Sequence, residues 1–342
     1  MQKMKAVGLY RYLPIEDEES LIDVEVEIPV PTGRDILVEV KAISVNPVDT
    51  KVRSPKDKVE PELKILGWDV AGVVASVGPD CTLFQPGDSV FYAGSITRQG
   101  GNSSFHLVDE RIVGRMPSRL SFAEAAALPL TSITAWEGLY DRLGVSDDPA
   151  VNRDKRILIV GAAGGVGSIA TQLAKLTGLT VIGTASRSAS EQWVKDHGAD
   201  FVINHYEPFV PQLKALNLDH VDYIFCLNAT DDHWRKMADA LAPQGVICSI
   251  VETKAPLDLN LLKSKSGTYA WEYMFTRAMY ETDDMIEQHH LLNQLADLVD
   301  AGRVKTTLTE VLSPIHAANL RKAHAMIESG STIGKIVLEN FS

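Results

Sequence analysis

The sequence predicts an α/β protein with a β-rich first part and a second part built on a doubly wound parallel sheet. The chain has 342 residues, enough for about two domains, each with its own core. Its first third alternates short strand-like runs with turns, whereas from Arg156 onward short apolar runs alternate with helical segments. Helices between successive strands are typical of a parallel sheet that is covered on both faces.

The composition is that of a soluble globular protein and argues against nucleic acid as a partner. Hydrophobic residues make up 45% and charged residues 23% of the chain, a balance typical of folded domains. The formal net charge of −12 repels nucleic-acid phosphates and anionic lipid headgroups.

The cysteines and the N-terminal stretch favour a reducing compartment. The three cysteines, Cys81, Cys226 and Cys248, have no disulfide or metal-ligand spacing, and the N-terminal stretch lacks the apolar core of a signal peptide. We therefore expect a cytoplasmic protein that binds neither nucleic acid nor membranes.

The first third is predicted to form an antiparallel or barrel-like domain. Residues 36–42 place apolar side chains at alternate positions, with Glu39 and Lys41 between them, which is the pattern of a half-buried strand. Val70–Val77 and Ser89–Tyr92 are two further strand-like runs. Because no helical pattern separates these runs, we expect the strands to pair directly with one another.

A helix is predicted to begin near Ser121, close to a domain boundary. Ser121 is followed three residues later by Glu124 in an alanine-rich run, which is the signature of a capping box. Beyond it the predicted strands are residues 156–160, 180–184, 200–204, 221–225 and 246–250, with a helix after each of the first four.

The last part of the chain is predicted to contain a helix over residues 284–300, a strand near Lys305, a helix over residues 316–328 and a final strand over residues 333–338. The periodicity leaves open whether these elements extend the parallel sheet or return to the first domain.

A glycine-rich turn joins the first strand of the second part to its helix. The turn reads Gly161-Ala162-Ala163-Gly164-Gly165-Val166-Gly167. Glycines allow a tight turn, a close approach of the backbone to a pyrophosphate and close packing of helix on strand. The start of the following helix offers N–H groups and a positive dipole end to an anion. Although Ala162 replaces the first glycine of the usual fingerprint, the strand–turn–helix context predicts a dinucleotide site; the alternative is a purely structural turn.

The end of the second strand of this part favours NADPH over NADH. NAD-binding versions place an acidic residue there, on the adenosine ribose, whereas this chain has Ser186 and Arg187. A guanidinium can bind a 2′-phosphate with paired charge-assisted hydrogen bonds, and the serine hydroxyl can donate one more. The alternative is that Arg187 is a solvated residue at the start of a helix.

The order of these features resembles the medium-chain dehydrogenase/reductase superfamily, in its quinone oxidoreductase-like branch. The segments SVNPVD (residues 44–49), LPLT (128–131) and GAAGGVG (161–167) carry the resemblance, which covers nearly the whole chain. More narrowly, LPLTSITAWEGL, GAAGGVGSIATQLAK, WEYMFTRAMYETDDMIEQH and IGKIVLE are similar to zinc-type alcohol dehydrogenase-like proteins. The resemblance implies a GroES-like β-rich catalytic domain over residues 1–128 and 277–342, and a Rossmann NADP(H)-binding domain over residues 129–276.

The residues at the zinc positions of the superfamily argue against a metal. Zinc-dependent relatives have Cys and His where this chain has Asn46 and Pro47, and their Gly-His-Glu segment appears here as Gly67-Trp68-Asp69. Tryptophan and proline cannot ligate zinc, and three scattered cysteines cannot supply a four-thiolate site. We therefore expect no zinc. Without a Lewis acid an alcohol is a poor substrate, whereas a quinone or an α,β-unsaturated carbonyl accepts hydride at carbon and moves the charge onto oxygen.

The resemblance also assigns roles to single residues. Asn46 and Asp49 belong to the floor of the cofactor cleft beside the nicotinamide, and Thr131 contacts cofactor or substrate where the domains meet. The residues expected to hold the cofactor are Gly164, Gly165, Val166 and Gly167 at the pyrophosphate, Ser186 and Arg187 at the 2′-phosphate, and His205 at the adenosine end, in place of a tyrosine of relatives. The alternatives are that Asn46 and Asp49 cap turns beside Pro47, and that His205 is a surface residue at a helix start.

The favoured function is a zinc-independent, NADPH-dependent oxidoreductase that transfers hydride to a quinone, an enone or an enal. Two alternatives stay open: an oxidoreductase of aldehydes and alcohols, and a non-enzymatic, crystallin-like protein that binds NADPH. The resemblance further implies a homodimer that forms through the edge strand of the cofactor domain.

Overall fold

The structure is a computed structural model that describes residues 2–341. The chain folds into two compact units. The first unit takes the chain up to Leu130 and resumes at Phe275, and the second unit spans Thr131–Met274. The boundaries expected from the sequence lie after residues 128 and 276.

The strands of the described residues are, in chain order, β1 (Lys3–Tyr12), β2 (Ile22–Glu27), β3 (Asp35–Val45), β4 (Lys56–Ile65), β5 (Val70–Val77), β6 (Ser89–Tyr92), β7 (Phe105–Asp109), β8 (Val113–Arg115), β9 (Arg156–Val160), β10 (Thr180–Thr184), β11 (Phe201–Ile203), β12 (Val221–Cys226), β13 (Leu241–Ser249), β14 (Thr268–Trp271), β15 (Leu308–Leu312) and β16 (Lys335–Glu339).

The α-helices are α1 (Pro47–Arg53), α2 (Phe122–Ala126), α3 (Pro129–Trp136), α4 (Pro149–Asn152), α5 (Gly165–Leu176), α6 (Ser188–Asp196), α7 (Phe209–Ala215), α8 (Thr230–Ala240), α9 (Asn260–Lys263), α10 (Thr276–Tyr280), α11 (Glu287–Asp300) and α12 (Ala317–Glu328). Within residues 2–341, none of these helices combines the length and the apolar character needed to cross a membrane.

The first unit is built from two β-sheets, as the strand-like runs of the first third predict. One sheet has the order β2-β1-β4, and the other has the order β15-β16-β3-β5-β6-β8, with β7 also paired to β3. The pairs among β3, β5, β6, β7 and β8 are all antiparallel.

The last elements of the chain return to the first unit, which answers the question that periodicity left open. Strand β16 pairs antiparallel with β3, and β15 pairs parallel with β16. The strand expected near Lys305 begins only at Leu308. Before it, the hydroxyls of Thr306 and Thr307 donate to the carbonyls of Glu124 and Ala127 at 3.0 and 3.3 Å. These side-chain hydrogen bonds fix the approach to the strand, which begins three residues after Lys305.

The capping box at Ser121 is confirmed. Ser121 Oγ accepts the Glu124 backbone N–H at 3.3 Å, and Glu124 Oε2 accepts the Ser121 N–H at 2.9 Å. The helix it starts is short, because α2 ends at Ala126 and α3 begins at Pro129.

The second unit is a Rossmann-like parallel sheet with the order β11-β10-β9-β12-β13-β14. Every neighbouring pair in it is parallel. The chain therefore winds in one direction from β9 to β11 and in the other from β12 to β14. Ligands of such sheets bind beyond the carboxyl ends of the strands, where the winding reverses, which is between β9 and β12 here.

Strand β14 was not predicted, because it is only four residues long and its residues are exposed or half-buried. The residue that follows it, Glu272, is held inside the second unit. Arg142 Nε donates to Glu272 Oε2 at 2.9 Å. Arg142 ends a π-helical turn, Glu137–Arg142, that continues α3. Burial, together with the Glu137 carboxylate, raises the pKa of Glu272 to about 9.

Candidate functional site

The glycine turn lies between β9 and α5, at the carboxyl edge of the parallel sheet. Gly161 has a φ of +83°, a conformation that favours glycine. Its N–H donates to Thr184 Oγ1 at the end of β10, at 3.0 Å. The hydroxyl of the neighbouring strand therefore fixes the first bend of the turn.

Three glycines around the turn are needed for different reasons. A Cβ on Gly167 would lie 2.4 Å from Gly161 O and 2.6 Å from Ala162 Cα, so this glycine allows α5 to pack against the turn. A Cβ on Gly183 would lie 2.9 Å from Ala162 Cβ. Ala162 can therefore replace the usual first glycine, because Gly183 in β10 leaves room for its methyl group.

Gly164 differs from the other two because its surroundings are open. A Cβ there would meet only Gly161 O, at 3.6 Å. Gly164 is the N-cap of the 12-residue helix α5, and it offers no side-chain cap to the first N–H groups of the helix. Gly164, Gly165 and Val166 are half-buried, whereas Gly167 is buried. An open glycine at an uncapped helix start fits the pyrophosphate of a dinucleotide.

Ser186 and Arg187 follow β10 at the same edge of the sheet. Ser186 is half-buried and Arg187 is exposed. The Arg187 backbone forms the start of α6, where its N–H donates to Ser190 Oγ at 3.3 Å and its carbonyl accepts from that hydroxyl at 2.8 Å. A guanidinium beside a helix start is suited to an anionic group such as a 2′-phosphate.

His205 follows β11, the outermost strand on this side of the sheet. Its half-buried ring lies 4.4 Å from the ring of Tyr206 and 6.1 Å from that of His233, measured between centroids. Burial and the nearby Lys236 ammonium lower the pKa of His205. The ring therefore lies beside two other rings, in a turn rather than in a helix.

Cys226 lies at the end of β12, next to the reversal of the winding. Its Sγ is buried and donates to Asn228 O at 3.3 Å. Burial raises the pKa of this thiol to about 11. It is therefore a protonated packing residue and not a nucleophile.

In the first unit, Asn46 and Asp49 lie together at the start of α1. Both are buried. Asp49 Oδ2 accepts the Asn46 backbone N–H at 2.7 Å, so Asp49 caps the turn as the alternative interpretation expected. Asp49 Oδ1 is buried and has no hydrogen-bond partner among the described residues. Burial raises the pKa of Asp49 to about 7.

The side chain of Asn46 turns away from the helix and contacts two buried charges. Its Nδ2 donates to Asp69 Oδ2 at 2.8 Å, and its Oδ1 accepts from Lys335 Nζ. Lys335 Nζ also donates to Asp69 Oδ2 at 2.9 Å and to the carbonyl of Val45 at 3.2 Å. The second carboxylate oxygen of Asp69 accepts the backbone N–H of Leu130 at 2.7 Å. We call Asn46, Asp69 and Lys335 the amide–ion-pair cluster.

Thr131 is a buried residue of helix α3 and the first residue of the second unit, and it follows Leu130, whose N–H bonds to Asp69. The first unit thus holds Asn46 and Asp49, and the second unit holds the other predicted site residues: Thr131, those of the glycine turn, Ser186, Arg187 and His205.

Comparison with known proteins identifies the family. Residues 32–136 match the model of the alcohol dehydrogenase GroES-like domain, and residues 197–338 match the model of the zinc-binding dehydrogenases. The chain is 45% identical over 335 residues to a zinc-type alcohol dehydrogenase-like protein of Staphylococcus aureus strain MSSA476, which covers 98% of this chain and 99% of the relative. The chain belongs to the medium-chain dehydrogenase/reductase superfamily. It is therefore an oxidoreductase of that superfamily.

Other relatives of this superfamily member carry more than one functional name. A quinone oxidoreductase of Sus scrofa is 30% identical over 92% of each chain. A crystal structure from Rhizobium etli CFN 42, provisionally assigned as a zinc-dependent alcohol dehydrogenase, has a TM-score of 0.95 and 54% identity over 100% of this chain and 99% of that one. The Escherichia coli quinone oxidoreductase complexed with NADPH has a TM-score of 0.80 and 26% identity over 98% of this chain and 99% of that one.

The residues of this dehydrogenase/reductase do not fit a catalytic zinc. The cluster offers one carboxylate and one amide, the carbonyl of Val45 lies beside them, and the ammonium of Lys335 already donates to these oxygens. Zinc in catalytic sites is held by thiolates and imidazoles together with carboxylates, and a fixed positive charge repels a second cation. Among residues 2–341, no group of three or more His, Cys, Asp or Glu side chains is arranged to hold a metal ion.

Sequence reasoning missed two members of the cluster, Lys335 and Asp69, as functional candidates. Asp69 was considered only as part of a failed zinc motif. The sequence could have indicated Lys335, because it is the single lysine in the apolar run IGKIVL. A lysine in such a run is buried only when its charge is paired. The identity of its partner depends on strand pairing, which the pattern does not give.

Two glycine substitutions should have opposite effects in this dehydrogenase/reductase. Gly164→Ala should leave the melting temperature nearly unchanged, because its Cβ meets only one atom at 3.6 Å, but it should weaken dinucleotide binding by filling the open cradle. Gly167→Ala should lower the melting temperature, because its Cβ would overlap Gly161 O and Ala162 Cα, with a cost of about 1–3 kcal/mol for overpacking. Thermal denaturation and cofactor titration measure the two effects. Equal loss of stability in both variants would contradict this assignment.

Asp49→Asn should change how stability depends on pH. The pKa of Asp49 is raised to about 7 in the folded protein, whereas an unfolded aspartate has a pKa of about 3.9. Between these values the folded state holds a proton that the unfolded state releases. The stability contributed by this group is therefore complete below about pH 4 and is lost as pH rises through about 7, by roughly 1.4 kcal/mol per unit of pKa difference.

The variant has no titrating group at this position, so its melting temperature should rise relative to wild type as pH increases from about 4 to about 8. The exposed Asp80 provides a control, since Asp80→Asn makes the same chemical change at a side chain that is not buried. If the melting temperatures of Asp49→Asn and wild type differ by the same amount at every pH in this range, Asp49 is ionised throughout.

Proposed function

We propose that the protein is a zinc-independent, NADPH-dependent oxidoreductase that reduces a quinone or an α,β-unsaturated carbonyl. The observation that carries this proposal is the amide–ion-pair cluster. A lysine ammonium occupies the oxygen-lined position beside Asn46 and Asp69, so the protein offers hydrogen-bond donors rather than a Lewis acid. The quinone oxidoreductase names among its relatives support the same acceptor class.

NADPH, when bound, supplies the hydride. For an enone, the hydride forms a C–H bond at the β-carbon, the C=C electron pair shifts, and the carbonyl oxygen takes the negative charge. A proton then adds at the α-carbon, which gives the saturated carbonyl and NADP⁺. A quinone takes one hydride and one proton and becomes the hydroquinone. In both cases the charge develops on an oxygen that N–H or O–H donors can stabilise.

In this proposal the second unit binds the cofactor. The residues assigned to it are Gly164, Gly165, Val166 and Gly167 at the pyrophosphate, Ser186 and Arg187 at the 2′-phosphate, and His205 at the adenosine. The open surroundings of Gly164, the exposed guanidinium of Arg187 and the ring cluster around His205 support these assignments.

Asn46, Asp49 and Thr131 are assigned to the acceptor and the reacting end of the cofactor. The Asn46 amide is the hydrogen-bond donor for the developing oxyanion. Asp49 is suited to hold a proton near neutral pH, because burial raises its pKa to about 7. The proton can lie on Oδ1, which has no hydrogen-bond partner among the described residues. Thr131 supplies a hydroxyl.

We further propose that the chain forms a homodimer through β14. This strand is at the edge of the six-stranded sheet, where one row of backbone N–H and C=O groups is left for another strand. Trp271 and Tyr273 are 47% and 44% exposed at its end, which supports a covering partner.

The acceptor class can be tested with matched substrates. We expect NADPH oxidation with a quinone and with an enal, and a kcat/KM for the enal that is about 100-fold or more above that for the saturated aldehyde of equal length, since no Lewis acid stabilises an alkoxide. EDTA should leave these rates unchanged. Loss of turnover with EDTA and recovery with zinc would overturn the proposal, as would faster reduction of the saturated aldehyde.

The cofactor preference can be tested at Arg187. Arg187→Ala should raise the Kd of NADPH by about 10- to 100-fold, because a hydrogen bond to a charged group contributes about 1.5–3 kcal/mol. The Kd of NADH should stay within about twofold, because NADH lacks the 2′-phosphate. Lys214→Ala, which removes an exposed charge at the end of α7, should change neither Kd. Equal weakening of both cofactors by Arg187→Ala would refute the phosphate site.

A further inference from the structure

The amide–ion-pair cluster is a closed triangle in which each member bonds to the other two. Lys335 Nζ donates to Asp69 Oδ2 at 2.9 Å and to Asn46 Oδ1, and Asn46 Nδ2 donates to Asp69 Oδ2 at 2.8 Å. All three residues are at most 3% exposed. The three come from distant parts of the chain, since Asn46 follows β3, Asp69 precedes β5 and Lys335 begins β16.

The two charges fix the orientation of the Asn46 amide. Its oxygen faces an ammonium and its nitrogen faces a carboxylate. The flipped amide would place N–H groups against the ammonium and the oxygen against the carboxylate, and both contacts would be repulsive in a buried site. The cluster therefore allows one orientation of the Asn46 side chain.

This orientation leaves one N–H of Asn46 without an acceptor among residues 2–341. An asparagine amide nitrogen has two N–H donors, and the described residues give Nδ2 one acceptor, Asp69 Oδ2. Because the Asn46 oxygen binds a cation, the amide is polarised and the remaining N–H becomes a stronger donor.

Lys335 itself has no hydrogen left for a ligand. Its ammonium has three N–H groups, and they are matched by three acceptors: Asp69 Oδ2, Asn46 Oδ1 and the carbonyl of Val45. Any effect of Lys335 on a bound acceptor must therefore pass through Asn46 or through the electrostatic field of the ammonium.

We propose that Lys335 is a positioning residue: its ammonium, paired with Asp69, holds and polarises the Asn46 amide, so that the second Asn46 N–H donates to the carbonyl oxygen of the electron acceptor. The ammonium thus replaces a metal ion as the fixed positive charge behind the developing oxyanion. This inference rests on the proposed function, because it deepens the role given there to Asn46.

The test uses variants that separate charge, pairing and folding. Lys335→Met removes the ammonium but leaves Asp69 as a buried charge without its cation, which can destabilise the fold. The double variant Lys335→Met with Asp69→Asn removes both charges and keeps an acceptor for Asn46 Nδ2. Lys335→Arg keeps a positive charge at the same position. Lys41→Met is the control, since it removes a half-exposed lysine of β3 that pairs with Glu39 on the surface.

For the double variant we expect a melting temperature close to that of wild type, a Kd for NADPH within about twofold, and a kcat for the acceptor that is about 10- to 100-fold lower, as for loss of one oxyanion donor. Lys335→Arg should recover part of this loss, and Lys41→Met should match wild type in all three measurements.

A second readout does not depend on turnover. In protein labelled with ¹⁵N-asparagine, the side-chain NH₂ signals of Asn46, assigned by their loss in Asn46→Ser, should be widely split and protected from exchange in wild type. They should move toward ordinary asparagine positions in the double variant but not in Lys41→Met, because the ammonium no longer polarises the amide.

The outcomes distinguish this inference from the proposed function. If the double variant folds and keeps both its kcat and its Asn46 signals, the positioning role is refuted even if wild type reduces enones. If the Asn46 signals shift as expected but wild type reduces no quinone or enone, the proposed function fails while the polarised amide is supported. If the signals shift and kcat does not change, Asn46 does not act as the oxyanion donor.

Discussion

The buried ion pair between Lys335 and Asp69 is the interaction on which the first unit's site depends. Burying two charges is costly unless their geometry and remaining hydrogen bonds are satisfied. Here the ammonium has three acceptors, and the Asp69 carboxylate accepts from Lys335, from the Asn46 amide and from the backbone of Leu130. Removing one partner of such a pair costs about 3–5 kcal/mol, so the pair ties together the end of β3, the approach to β5, the start of β16 and the beginning of α3. The return of the last strand to the first unit is therefore needed for the site as well as for the sheet.

The second unit depends on a different constraint, which is the space available around a turn. Gly167 and Gly183 provide room for packing within the protein, whereas Gly164 faces open space. Ala162 is accepted in a glycine position only because Gly183 lies opposite its methyl group. Gly183 in the neighbouring strand thus compensates for the alanine at position 162. The open surroundings of Gly164 are unaffected by this replacement. This compensation explains how the turn keeps its backbone geometry with one mismatch in the motif.

The sequence predicted the features that local patterns encode. Strand β9, the glycine turn, α5 and the capping box at Ser121 are specified by residues within a few positions of one another, and all are present. Strand β14 was missed because it is only four residues long, none of them is buried, and its position is set by pairing with β13. Lys335 was missed as a site residue because its partners are more than 260 positions away in the sequence. Periodicity describes neighbours along the chain and carries no information on which distant charge a buried lysine meets.

The same ion pair explains why the residues of this chain do not fit a zinc ion, although relatives are named zinc-type dehydrogenases. Asn46 and Trp68 replace ligands that zinc would need, but those losses alone would leave Asp69 as a buried carboxylate without a counter-charge. Lys335 supplies that charge from within the protein, in a geometry that also orients Asn46. A fixed ammonium cannot bind an alkoxide directly as a metal does, because all three of its hydrogens are already used. In the proposed function it acts through the asparagine amide, on an acceptor that already carries an electrophilic carbon. Under that proposal, a lysine in place of a metal favours conjugated carbonyl acceptors over simple alcohols.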